Sequence, residues 1–141
     1  MSFKKYLVLG STVIALSFPI IASADLDVYN YTDKPSSVKI TNSKFQSCSD
    51  KSTPAYNPNT KQPGHIASTP QAGVKFICQK LSGICTADMY ASSNCKGTKV
   101  AELSINLDNL VVTVTKPYPN YKVEIISLGF LNTQVNIKPV A

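Results

Sequence analysis

From Asp25 onward the chain alternates. Leu26 and Val28 fall on one side of DLDVYNY, Val38 and Ile40 on one side of SVKITN, and Cys85, Ala87 and Met89 on one side of ICTADMY. Successive side chains of an extended backbone point to opposite faces, so a period of two marks half-buried strands. Further strands are expected over residues 74–78, 100–107, 110–115, 121–127 and 131–138, with a short one around His65-Ile66-Ala67. Thr32-Asp33-Lys34-Pro35 carries turn chemistry, so residues 25–31 and 37–42 read as a hairpin or as neighbouring strands. No segment after residue 24 sustains apolar residues at helical spacing. The expectation is an all-β fold: an antiparallel β-sandwich, immunoglobulin-like or a related Greek key, with seven to eight strands and two disulfides.

The first 24 residues follow a different rule. Lys4 and Lys5 precede an uncharged run from Tyr6 to Phe18, Pro19 breaks any helix, and Ala22-Ser23-Ala24 presents small residues at the spacing a signal peptidase reads. Gly10, Ser11, Thr12 and Ser17 interrupt the run, which falls short of a membrane anchor of about 20 strongly apolar residues. Residues 1–24 are therefore expected to be a signal peptide, and residues 25–141 a single β-sandwich domain with no membrane span. The destination is the periplasm or the medium.

Export gives the four cysteines, Cys48, Cys78, Cys85 and Cys95, an oxidising environment in which an even count predicts disulfides. Three pairings are open. The preferred one is Cys85–Cys95, closing a strand and a turn, with Cys48–Cys78 tying a long polar stretch to a strand. A single His and the lack of Cys-x-x-Cys spacing argue against a zinc site, so neither a metal nor a cofactor is expected.

Loss of Lys4 and Lys5 lowers the formal charge from +6 to +4, and every basic side chain is Lys. Arg is the residue suited to bidentate phosphate and base contacts, so a chain without it is not expected to read nucleic acid. Catalytic constellations are also lacking. His65 is the only imidazole and has no nucleophile motif around it, and Asp88, Glu102, Asp108 and Glu124 are each isolated in sequence. Asp25 and Asp27 share one strand face, where their charge is expected to guard an edge strand. Asn30-Tyr31-Thr32 matches a glycosylation acceptor. No enzymatic activity is expected.

Tyrosines suit recognition, because each combines apolar area with a polar tip. The Pro-rich stretch 47–73 holds Tyr56 and His65, and KPYPNY holds Tyr118 and Tyr121. These four residues are the candidate contacts for a partner.

Residues 83–103, GICTADMYASSNCKGTKVAEL, resemble a class of small exported proteins from Legionella-like Gram-negative bacteria, through Cys85, Ala87, Tyr90, Cys95 and Gly97. The resemblance implies a periplasmic or type II-secreted, disulfide-bonded β-sandwich that acts on a host, and brings no catalytic residue with it. The expected function is non-enzymatic binding of a host protein or glycan. The alternative is a periplasmic enzyme inhibitor or an envelope-maintenance factor.

Overall fold

A computed structural model describes residues 24–43, 46, 48–49, 51–128 and 132–140. The expected signal peptide, apart from Ala24, lies outside the described residues. Ten elements follow in order: β1 (Asp25–Asn30), β2 (Ser37–Ile40), β3 (Gly64–His65), β4 (Thr69–Pro70), α1 (Gln71–Cys78), β5 (Ile84–Tyr90), β6 (Lys99–Asn106), β7 (Val112–Pro117), β8 (Tyr121–Ser127) and β9 (Thr133–Pro139). The strands form two sheets. One has the order β3-β1-β9-β8, with β4 also paired to β1, and the other has the order β2-β5-β6-β7. Their inner faces pack as a sandwich, as the alternation requires. Cys85, Ala87 and Met89 of β5 and Leu103 and Ile105 of β6 are buried with Val135 and Ile137 of β9. Two-residue β3 and β4 take the strand count to nine, just above the expected range.

Two pairings differ from expectation. β1 and β2 are not a hairpin, because they belong to different sheets. Asn30, fully buried, redirects the chain between them: its Nδ2 donates to the Lys34 carbonyl at 2.7 Å and its Oδ1 accepts the Thr32 N–H at 2.9 Å. The same bonds occupy the Asn30 amide, so the acceptor triplet offers no free amide in the folded domain. The sandwich is also not wholly antiparallel. β1 runs parallel to β9, with Leu26 opposite Thr133 and Asn30 opposite Ile137. A parallel pair needs a long crossover, which the whole intervening chain supplies.

Residues 74–78 are helical rather than extended. Val74, Phe76 and Cys78 imitate a period of two, but Val74 and Cys78 also stand four apart, on one helical face, and these two are the buried ones. The helix is held at both ends. The Gln71 side chain donates to the Leu107 and Asp108 carbonyls at 2.7 and 3.1 Å, and the Gln71 N–H reaches the carbonyl of buried Ala24 at 2.8 Å. At the far end Cys78 is bonded to Cys85. The second disulfide is Cys48–Cys95, so both preferred pairings are replaced. The turn of α1 into β5 sets Cys78 beside Cys85. The Cys95 loop instead meets β2, where the Cys95 N–H donates to Ser37 Oγ at 2.9 Å, and Cys48 bridges to Lys39 of that strand. No helix among the described residues is long and apolar enough to cross a membrane.

Candidate functional site

Where β1 faces β2, the sandwich leaves a groove of about 490 Å³. Its floor is the alternating apolar face: Leu26 and Val28 from β1, Val38 and Ile40 from β2, and Ile105 from β6. Ile66 and Ala67, between β3 and β4, and the α1 residues Phe76 and Ile77 form an apolar lip. An eight-residue helix with two buried positions cannot cover all its apolar side chains. Phe76 is 82% exposed, and Leu81, just after the helix, is 84% exposed.

The segment alongside β2 supplies a polar part of the lining. Ser36 and Thr53 form a backbone bridge, with N–H to carbonyl distances of 2.9 and 2.7 Å. Ser49 closes on Val38 through both its N–H, at 2.8 Å, and its hydroxyl, which accepts the Val38 N–H at 3.2 Å. Ser36, Ser49, Lys51 and Thr53 all line the groove, and no carboxylate does so among the described residues. The Ser36 side chain is buried, the residue being 4% exposed, and its hydroxyl has no hydrogen-bond partner among the described residues. A buried hydroxyl left unpaired costs on the order of 1–3 kcal/mol. A smaller cleft of about 250 Å³ opens between β7 and β8, bordered by Val100, Val114, Tyr121 and Val123.

The four residues expected at a partner surface do not converge. His65 lies on β3, at one end of its sheet, and Tyr121 begins β8, at the other. Two strands separate them, which places them about 14 Å apart or more. Tyr56 belongs with the His65 end, since its N–H donates to the Thr32 carbonyl at 2.8 Å. Tyr118 and Tyr121 share the β7–β8 turn, and Tyr121 packs against the core.

His65 is engaged on the outer face of β1. Its Nε2 lies 2.9 Å from Asp27 Oδ1, and its ring stacks on Tyr29 with centroids 4.3 Å apart. The Ser68 hydroxyl donates to the same Asp27 oxygen at 2.5 Å. In a nucleophile relay the imidazole stands between hydroxyl and carboxylate. Here the carboxylate stands between the other two, so the Ser68 proton is directed to Asp27. β1 is also not an edge strand, and Asp27 serves as an acceptor rather than as a guard.

A second polar cluster lies on the outer face of the other sheet. Cross-strand register sets Asp88 opposite Glu102, carboxylates that are distant in sequence. Lys99 joins them, at 3.1 Å from Asp88 and 3.5 Å from Glu102. The hydrogen bond to Asp88 holds the Lys99 ammonium well above the ordinary lysine range. The Tyr118 hydroxyl donates to Glu102, which holds that carboxyl below its ordinary value, and Lys116 lies 5.2 Å from the Tyr118 ring. Tyr118 therefore spends its polar tip on a bond within the molecule. Across the sandwich, the Lys138 hydrogen bond, joined by that of Lys122, lowers Glu124 in the same way.

The groove has no counterpart in the sequence reading. Its nearest signal is Phe76 and Ile77, which the expected strand over 74–78 takes in. Comparison of the chain with protein-family models, with curated proteins and with solved structures gives no match.

Proposed function

We propose that this chain is an exported, non-catalytic binding protein whose partner enters the groove between β1 and β2. One observation carries the reading: about 490 Å³ of largely apolar space stays open beside exposed Phe76, Ile77 and Ile66. That volume lies in the range of about 300–1,000 Å³ found for pre-formed ligand sites. Apolar walls favour an apolar ligand, or an apolar group of a larger one, over a glycan. Export to the periplasm or the medium accords with the two disulfides.

The test is fluorescence titration of the purified protein with the apolar reporter 1-anilinonaphthalene-8-sulfonate. Ala67 is exposed on the lip, so Ala67→Trp fills the mouth without disturbing the core. The expected result is one saturable site in the parent, at least about tenfold weaker in Ala67→Trp, with the two proteins melting together. Absence of saturable binding, or equal binding by the variant, would refute the reading.

A further inference from the structure

A sandwich of two open sheets leaves edges, whose backbone N–H and C=O groups need a partner or water. Most edges here are covered or broken up. The β2 edge is overlaid through the bridges Ser36–Thr53 and Lys39–Cys48. β3 and β4 are two residues long, and β7 carries a register shift against β6 and ends in Pro117. β8 is the exception among the described residues. It is seven residues long, ends its sheet, and pairs in unbroken register with β9.

The phase of the ladder decides which groups are left over. The Tyr31 N–H donates to the Ile137 carbonyl at 2.8 Å, so Ile137 turns its backbone groups toward β1. The N–H and C=O of one strand residue point the same way, and those of its neighbours point the other way. Asn136 and Lys138 therefore face β8 and bond Glu124 and Lys122, their register partners. The Leu128 N–H on the Asn132 carbonyl, at 2.9 Å, keeps the same phase. Val123 and Ile125 are left with their N–H and C=O directed at the open edge.

We propose that this edge takes a second copy of the same strand, giving a two-fold dimer in which one sheet runs on through β8 of both protomers. Charge selects the copy and its register. Tyr121, Val123 and Ile125 pack against the core, so Lys122 and Glu124 stand on the outer face of β8. With Val123 on the two-fold axis, it exchanges both backbone bonds with its equivalent, and Tyr121 pairs with Ile125. Lys122 then lies opposite Glu124 of the second copy, twice, at the closer, non-hydrogen-bonded positions. Moving the axis to Lys122 or to Glu124 sets like charges against each other. Moving it to Ile125 leaves Glu124 opposite Ile126. A lone Lys on an edge keeps copies apart, but Glu124 two residues on makes this strand its own complement.

The cleft of about 250 Å³ opens beside the same strand, so the second copy also shields Val114 and Val123. β8 and β3 end the same sheet on opposite sides, and the groove beside β1 stays open in the dimer. A short edge covers less than the roughly 800 Å² per partner of a stable complex, so association is weak and reversible. The expected dissociation constant is on the order of 10–100 µM.

The experiment is sedimentation equilibrium of the folded, disulfide-bonded protein from about 1 µM to about 1 mM in dilute salt, with amide exchange measured at both ends of that range. The parent is expected to pass from monomer to dimer. Protection rises at the Val123 and Ile125 amides and is unchanged at Lys122 and Glu124, which already bond to β9. Lys122→Glu and Glu124→Lys each weaken association at least about tenfold. The double variant, which exchanges the two charges, restores it to within about threefold of the parent. The amide pattern of the parent decides the matter even where a variant folds poorly.

A monomer at the highest concentration would overturn the proposal. A dimer that survives both single variants, or that the exchange of charges fails to restore, would overturn the register and the edge with it. Val123 and Ile125 amides protected at every concentration would mean that the edge is already covered, and would overturn it equally. A dimer dispersed by Ala67→Trp would assign the contact to the groove instead.

Discussion

Gly64 is where a single methyl group decides whether β3 can lie against the backbone of Pro54. A Cβ there falls 1.6 Å from the Pro54 carbonyl oxygen and 2.4 Å from its carbon. Both atoms are backbone, so no rotamer change relieves the clash. Gly64→Ala is therefore expected to lower unfolding free energy by about 3 kcal/mol, as measured by urea denaturation. Gly97 makes the contrast: its φ is +85° but nothing lies near its Cβ position, so Gly97→Ala costs only the left-handed penalty of roughly 1–2 kcal/mol. Equal losses at the two sites would show that the close approach to Pro54 is wrong. At this scale the sequence is only partly legible. The setting of His65 is hidden, because it meets Asp27 and Tyr29 of a distant strand, and Ser68 joins through Asp27. Nothing local links Asp27 to Ser68, 41 residues away.

At the scale of elements, the alternating strands are legible because each needs only its own period. β5, β6 and β8 fall within a residue or two of where the alternation places them. The short helix is not, since Val74 and Cys78 satisfy both periods over so few residues and tertiary anchoring decides. The disulfide pairing was equally hidden, because it depends on which sheet each cysteine faces. Loop closure sets the expected energies. The Cys48–Cys95 link spans 47 residues and the Cys78–Cys85 link 7. Chain entropy then assigns about 4 kcal/mol to the first and about 2.5 kcal/mol to the second. Replacing Cys48 and Cys95 by Ala should cost more in urea than replacing Cys78 and Cys85. Only the second replacement should loosen α1, seen as faster amide exchange at residues 74–78. Peptide mapping of the unreduced protein that links Cys85 to Cys95 would contradict this account.

For the whole molecule, charge is arranged as two outer-face networks over an apolar interior. Glu102 and Glu124 sit below their ordinary values, held by the Tyr118 hydroxyl and by the Lys138 hydrogen bond respectively. A carboxyl depressed in the folded state stabilises above its unfolded value of about 4.3, and that stabilisation is lost as pH falls below it. Lys99 and Lys138 are raised, through Asp88 and Glu124. Their contribution is complete below about pH 10.4 and is lost as pH rises further. Thermal melts should therefore show both limbs, and the double variant Glu102→Gln, Glu124→Gln should flatten the acid one. An acid limb unchanged in that variant would show that other groups control it. The sandwich as a whole was legible from period two. The groove was not, because it arises from how the β1 and β2 faces of two different sheets meet, together with α1 and the residues between β3 and β4.

The groove between β1 and β2 is the proposed meeting place of this protein and a ligand. Methyl-detected NMR of the folded, disulfide-bonded protein during titration with 1-anilinonaphthalene-8-sulfonate tests it most directly. The predicted result is saturable shifts confined to Leu26, Val28, Val38, Ile66 and Ile77. Shifts centred instead on Val100, Val114 and Val123, at the cleft between β7 and β8, would contradict it.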